Sequence, residues 1–406
     1  MSGSQHLFFG LLALALAAGC RFGPEPDPRR AGGEISAAAK REAAPGPSAK
    51  DLDARGLEKR WDFCLEEPIE ALTVIDDAIY VYTAERNLYA IGLENGLVRW
   101  QYGLPDGLSS PPFVYIYPAQ EGIQHTDEVI LVSKDTLHVV DRAHGFLLWK
   151  IKLDFPVSSP PSASYSHIYL GSWNGRIYAI SKADHTIDWS YLTGGPVTAR
   201  AEASGPEKSV EAVFVASEDG RVYSFTPTAE ERKWWYRTQG PITTPPFFFK
   251  TYLFVGSQDF NVYCIRTIDG GLEWRYAAGA PVKRTPVAFS EGDAVYVIAG
   301  ESSLVALNRR PQKQNYVRWK YEGGVQVLAK GRRDVYILDK KGRVVAIGEE
   351  TGKPRWAEPL APGADFFALD PWDPASLVER EKRLASTIVF GYRDGWLVAA
   401  REKAEY

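Results

Sequence analysis

Sulfur is nearly absent from this chain. One methionine, the first residue, and three cysteines, Cys20, Cys64 and Cys264, are spread over 406 residues. No cysteine adjoins another and no CxxC pair occurs, so neither a zinc cluster nor a redox dithiol is indicated. Histidine is also scarce: His6, His125, His138, His144, His167 and His185 form no HExxH motif. GxSxG, Walker and GxGxxG patterns are missing, as is an EF-hand-like run of spaced aspartates. Excess charge of either sign is missing too. Lys and Arg number 47 against 51 Asp and Glu, a net charge of −4, so no global basic field draws in nucleic acid. His138 falls on a strand position and reads as a strand residue.

Long apolar runs are lacking as well. Leu7 to Ala18 is apolar, but it is shorter than the roughly 20 residues that a bilayer requires. It suits the apolar region of a secretory signal, with small residues before a cleavage point. Ala17-Ala18-Gly19-Cys20 resembles the bacterial lipobox, although no Lys or Arg precedes the apolar run and Leu16 stands one place early. The resemblance implies a signal peptide over 1–19 and diacylglycerol on the Cys20 thiol. Arg21 behind that cysteine fits outer-membrane delivery. Such a chain is anchored to the membrane and does not span it. Residues 20–57 are rich in Pro, Gly, Ala and charge and read as a lipidated, disordered linker, with a short helix allowed at 36–43.

Beyond that linker the chain repeats itself. Tyr178 and Trp189 stand eleven residues apart, and so do Tyr89 and Trp100, His138 and Trp149, Tyr223 and Trp234, Tyr263 and Trp274, and Val345 and Trp356. Val305 and Trp319 keep the pattern with three extra residues, inserted within the basic stretch 309–315. Gly96, Gly145, Gly270 and Gly352 each lie four residues before the Trp, and Pro112, Pro161, Pro246 and Pro286 twelve after it. Each unit holds an alternating strand, such as "HIYLGSW" or "YLFVGSQ". Turns such as Asn174-Gly175, Asp219-Gly220 or Asp394-Gly395 then supply positive φ for a hairpin. Four strands per unit and eight units predict an all-β, eight-bladed β-propeller with four-stranded antiparallel blades over 58–406.

The ends agree with that count. The last unit stops before it can supply a Trp strand, while "KRWDFCL", with Trp61 and Phe63, supplies one at the other end. The N-terminal strand is therefore expected to complete the C-terminal blade, with Trp61 and Tyr406 part of the closure. The repeating Trp residues are expected to pack over the neighbouring blade, as architecture. Cys64 and Cys264 fall in blades 8 and 5, too distant to pair, and read as buried thiols.

The Tyr-Ala-Ile … Gly-x-x-x-Trp unit, as in "LYAIGLENGLVRW" and "VVAIGEETGKPRW", resembles the pyrroloquinoline-quinone (PQQ) type propeller repeat, over 58–406. That repeat is shared by quinoprotein dehydrogenases and by cofactor-free scaffolds such as the BamB-type outer-membrane assembly lipoproteins. The enzymes imply a vicinal disulfide beside PQQ, Ca²⁺ ligands and an Asp base, and Cys-Cys is absent here. The scaffolds imply a partner contact through Leu-x-Leu-Arg entering the fourth blade and Asp-x-Asp before Thr-Thr-Pro. This chain reads Val197-Thr198-Ala199-Arg200 at the first place and Gly240-Pro241-Ile242-Thr243-Thr244-Pro245 at the second. The arginine is kept, both leucines have shrunk and both aspartates are gone.

Two tryptophans, Trp173 and Trp396, fall outside the ladder, beside the turns of blades 3 and 8, where exposed aromatics serve as anchors. Residues 364–383 read as an enlarged loop of blade 8 with a short helix, and as a further place for partner contact. The expectation is a non-catalytic, monomeric propeller scaffold at the periplasmic face of the outer membrane, held by its N-terminal lipid. It binds no cofactor, metal or nucleic acid. Cys20 is the lipidation site, and Arg200, Trp173 and Trp396 contact an envelope protein, the outer-membrane barrel assembly protein being the named case. The alternative is a periplasmic PQQ-dependent dehydrogenase or a small-ligand sensor using the central channel.

Overall fold

The computed structural model describes residues 47–118, 125–204, 212–228, 230–289, 293–312, 315–330, 333–356, 364, 366–369 and 387–403. The Cys20 lipobox, the helix at 36–43, Tyr406, residues 313–314 of the basic stretch and most of 364–383 lie outside them. Eight four-stranded antiparallel sheets make this an eight-bladed β-propeller with almost no helix, as the repeat predicts.

Two blades form one compact unit. Blade 1 runs through Ile69–Ile75, Ala78–Thr83, Asn87–Gly92 and Val98–Gly103. Blade 8 takes Phe366–Leu369, Thr387–Gly391 and Trp396–Glu402 from one end of the chain and Leu57–Cys64 from the other. Phe63 pairs with Leu397 and Cys64 with Trp396, so the N-terminal strand does complete the C-terminal blade. Part of the stretch expected as loop, 366–369, is thus the first strand of a sheet. A five-residue helix, Ala49–Asp53, precedes the closing strand; it is capped by Ser48 and buries Leu52. Ile79, Val81, Ile91, Val389 and Leu397 form the core of this unit.

The second unit holds blades 2 to 7, spanning 113–152, 162–192, 202–237, 247–277, 287–322 and 324–356. The first strands of blades 2, 3, 4 and 5 stand side by side, and each fourth strand forms the free edge of its sheet. The alternation seen in the sequence puts one face of each sheet against the next blade, as in the core built from Phe214, Val222, Trp234, Leu253 and Val255.

The ladder tryptophans show how one blade holds the next. The Trp61 indole N–H donates to the Leu93 carbonyl (2.9 Å), Trp189 to Pro227 (3.0 Å), Trp234 to Thr267 (2.9 Å), Trp274 to Arg309 (2.9 Å) and Trp319 to Glu349 (2.6 Å). Each bond crosses from one blade to the following one, which satisfies a buried N–H that would otherwise cost about 1–3 kcal/mol. The Gly that stands four residues before Trp100, Trp149, Trp274 and Trp356 has its reason here as well. At Gly270 a Cβ would stand 2.7 Å from two ring carbons of Trp234, and Gly96 and Gly352 meet Trp61 and Trp319 in the same way. Blade 3 departs from this rule. His185 replaces the glycine at φ +57° and lays its ring flat on Trp149, with centroids 4.3 Å apart.

Cys264 is buried, and burial pushes its thiol well above the ordinary value. Cys64 is only half-buried, contrary to expectation, because the closing strand lies at a sheet edge. Its thiol donates to the Leu65 carbonyl at 3.3 Å.

Candidate partner-binding face

The turns between the second and third strands of blades 3, 4 and 5 share one design. They read Ser172-Trp173-Asn174-Gly175, Ser217-Glu218-Asp219-Gly220 and Ser257-Gln258-Asp259-Phe260. The serine hydroxyl accepts from the third residue's amide at 3.2–3.3 Å. The third side chain accepts from the amide two residues on, at Arg176, Arg221 and Asn261. It also bonds the tyrosine of the third strand. Asn174 donates to the Tyr178 hydroxyl (2.8 Å), and the hydroxyls of Tyr223 and Tyr263 donate to Asp219 (2.5 Å) and Asp259 (2.6 Å). These tyrosines are therefore architectural, as the register implied.

Electrostatics follows from this arrangement. Burial and then the hydrogen bond to Asp219 push the Tyr223 hydroxyl up to about 12. Burial alone would raise Asp259. Bonds from the Tyr263 hydroxyl, the Gln239 amide and Asn261 outweigh it and hold the carboxyl below its usual range. Asp219 likewise accepts from the Gly194 amide (2.9 Å), so each aspartate ties its turn to the loop arriving from the preceding blade.

The second turn position has no such duty in its side chain. It varies as Trp173, Glu218 and Gln258, and it borders the loop that leads into its own blade. Glu218 accepts from the Thr198 hydroxyl (2.7 Å), and Gln258 donates to that of Thr243 (3.1 Å). Trp173 is 50% exposed. A cavity of about 540 Å³ opens between Glu218 and Asp219 on one side and Arg237 to Pro241 on the other.

Arg200 lies on the loop entering blade 4, next to the first strand Glu202–Ala203. Its guanidinium is 3.6 Å from Glu202 and sits over the Phe113 ring of blade 2 at 5.5 Å. The loop is tied to blade 3 through the Val197 amide, which donates to the Ser172 carbonyl (3.2 Å). Trp173 and Arg200 thus belong to one end of neighbouring blades. Trp396 belongs to the other unit, where it opens the last strand half-buried, paired with Cys64. Val197, Ala199 and Ile242 are buried core residues. Besides Trp173, the accessible side chains of this loop face include Phe260, Thr198, Arg200, Thr243, Glu218 and Gln258. The last two escaped the sequence reading, although aligning the Ser-x-Asp/Asn turns would have isolated their variable position.

A family model described as outer membrane protein assembly factor BamB matches residues 118–244 and 219–365, more than half of the chain. The chain belongs to the BamB family. Among solved structures similar to this member, BamB from Moraxella catarrhalis superposes with a TM-score of 0.64 at 14% identity. The match covers 86% of this chain and 99% of that one. Sqt1 from Saccharomyces cerevisiae gives 0.63 at 10% identity, over 85% and 99%. The quinohemoprotein alcohol dehydrogenase ADHIIG from Pseudomonas putida HK5 gives 0.60 at 11%, over 86% and 77%. At these identities the likenesses establish the fold, which serves enzymes as well as BamB proteins. No curated protein sequence matches the chain.

A calcium–quinone centre finds no matching donor set among the described residues. Cys64 and Cys264 lie in different blades and form no vicinal pair, and among the described residues no three His, Cys, Asp or Glu side chains are placed to hold a metal ion. Among the same residues, no helix is long and apolar enough to cross a membrane.

Proposed function

We propose that this BamB-family propeller is a non-catalytic scaffold for outer-membrane β-barrel protein assembly. It is anchored through lipid on Cys20 at the periplasmic face of the outer membrane, and the part of the expected 20–57 linker that precedes the Ala49–Asp53 helix serves as its tether. The observation that carries the reading is the turn-and-loop face of blades 3 to 5. There a fixed hydrogen-bonded frame holds up side chains that the frame does not need, Trp173, Thr198, Arg200, Glu218 and Gln258. Membership of the family supplies the partner class, the barrel assembly protein. With Val197 and Ala199 buried, the contact rests on polar groups and on Trp173, with fewer apolar anchors than the Leu-x-Leu-Arg pattern implies. Trp396 is a third contact, from the other unit.

Photo-crosslinking residues placed at Trp173, Arg200 and Trp396 test this in the intact envelope. Capture of the barrel assembly protein from the first two supports the reading, and its absence from all three refutes it. The rival, a PQQ-dependent dehydrogenase or small-ligand sensor, predicts saturable spectral change when purified protein is titrated with PQQ and Ca²⁺. The scaffold predicts none.

A further inference from the structure

Every blade has a β-bulge in its fourth strand at the residue before the ladder tryptophan, where the register with the third strand slips by one. The bulged residue is Arg60, Arg99, Asp188, Lys233, Glu273, Arg318 or Arg355 in seven blades and Leu148 in blade 2. Charge at a sheet edge deters pairing with foreign strands, so seven blades carry a guard and one does not.

The exception has a structural cause. In blades 1 and 7 the bulged arginine reaches an acid at the start of the second strand, with Arg99 2.8 Å from Asp77 and Arg355 2.9 Å from Asp334. In blade 3 the bulge itself carries the acid, with Asp188 2.9 Å from His167. In blade 2 the corresponding acid is Glu128, and a lysine from blade 3 has taken it. Lys182 Nζ lies 2.7 Å from Glu128 and 3.7 Å above the centroid of the Tyr115 ring, with both charged side chains nearly fully buried. Position 148 is thereby released from that duty.

What occupies the released edge is apolar. Phe146, Leu147 and Leu148 are consecutive and 54%, 39% and 36% exposed. Trp149, widened by the stacked His185, lies half-buried beside them. The next residues reverse this character. Lys150 and Lys152 are exposed, and no acid lies between Phe146 and Lys152. Lys152 lies 3.5 Å from Asp135 on the turn between the second and third strands, and both side chains stay largely exposed. Past the bulge, Trp149 to Lys152 pair regularly with Val139 to Thr136, and among the described residues no strand borders their outer side.

We propose that the edge Phe146–Lys152 of blade 2 is a second docking surface, taking an extended segment of a partner protein. The charge and polarity of the edge set the chemistry of that segment: large apolar residues over Phe146 to Leu148, acidic residues over Lys150 and Lys152, and main-chain bonds to residues 149–152. This surface is independent of Arg200 and of the role assigned to it, and it would persist if that role failed.

The test uses the full chain and a fluorescein-labelled octapeptide, Val-Val-Ile-Thr-Glu-Thr-Glu-Thr, read by fluorescence anisotropy. Saturable binding is expected. It should weaken at least about tenfold, or about 1.4 kcal/mol, in Leu148→Lys, which restores the guard carried by blade 4. It should be unchanged in Leu192→Lys, at an exposed leucine on the edge of blade 3. A peptide with lysines for its glutamates should not bind. Circular dichroism and melting of Leu148→Lys check that the edge change leaves the fold intact. Absence of saturation up to about 1 mM peptide, or equal affinity in wild type and Leu148→Lys, overturns the proposal. Concentration-dependent self-association that Leu148→Lys abolishes would also overturn it, making a second copy the occupant.

Discussion

Replacing Gly270 by alanine should destabilise the propeller through two separable effects. The backbone stands at φ +70°, where an L side chain costs about 1 kcal/mol. The added methyl also falls 2.7 Å from Trp234 Cδ2 and Cε3, well inside van der Waals contact. Trp234 cannot simply retreat, since its indole N–H is held by the Thr267 carbonyl at 2.9 Å and its ring packs with Phe214. Overpacking of this kind costs about 1–3 kcal/mol, giving a total of about 2–4 kcal/mol. Gly279 provides the control. It has φ +81° with nothing within 4 Å of a built Cβ, so Gly279→Ala should lose only the backbone part, about 1 kcal/mol. Urea denaturation followed by intrinsic fluorescence measures both variants. Adding Trp234→Leu to each variant closes a double-mutant cycle, with coupling expected for Gly270 and none for Gly279. Equal losses in the two single variants, or no coupling, would refute the claim that the glycine exists to receive the neighbouring tryptophan.

Lys182→Met should cost about 3–5 kcal/mol, because it leaves Glu128 buried without its partner. The double variant with Glu128→Gln should recover part of that loss in the same denaturation assay. Asp259 is held below its unfolded value, so its contribution is present at neutral pH and is lost as pH falls through the lowered folded-state value, in the acid range. Melting temperature in that range should be flatter in Asp259→Asn than in wild type. In the native protein a thiol reagent should label half-buried Cys64 before Cys264, whose burial holds it as a thiol. Simultaneous labelling of both would contradict the packing of blade 5.

The blade count was legible because one spacing serves two purposes. The eleven residues from Tyr178 to Trp189 set the hairpin between third and fourth strands. They also set the Trp against the following blade, so any drift would have cost burial and a hydrogen bond together. Even the closing strand could be read, since Trp61 obeys the same rule as Trp189. The binding face was less legible. Trp173 stood out as an aromatic outside the register, but Glu218 and Gln258 look like ordinary polar turn residues until the frame of serine, aspartate and tyrosine around them is seen. Val197 and Ala199 misled in the other direction, since small apolar residues on a loop do not announce that they are buried, Val197 against Gly171 of blade 3 and Ala199 in the core of blades 4 and 5. Cys64 was expected buried by analogy with other strands, but a closing strand has one open side.

The closing strand also puts a clock on the molecule. Leu57–Cys64 pairs with Trp396–Glu402, which lies at the far end of the repeat in sequence. Before that pairing, Trp61 can dock on Leu93 of blade 1 while the other edge of its strand waits unpaired. Contacts between such distant segments form slowly, because loop closure must come before any gain from pairing. The sheet of blade 8 should therefore be among the last to form. A chain lacking Trp396–Glu402 would leave Leu57–Cys64 without its sheet partner.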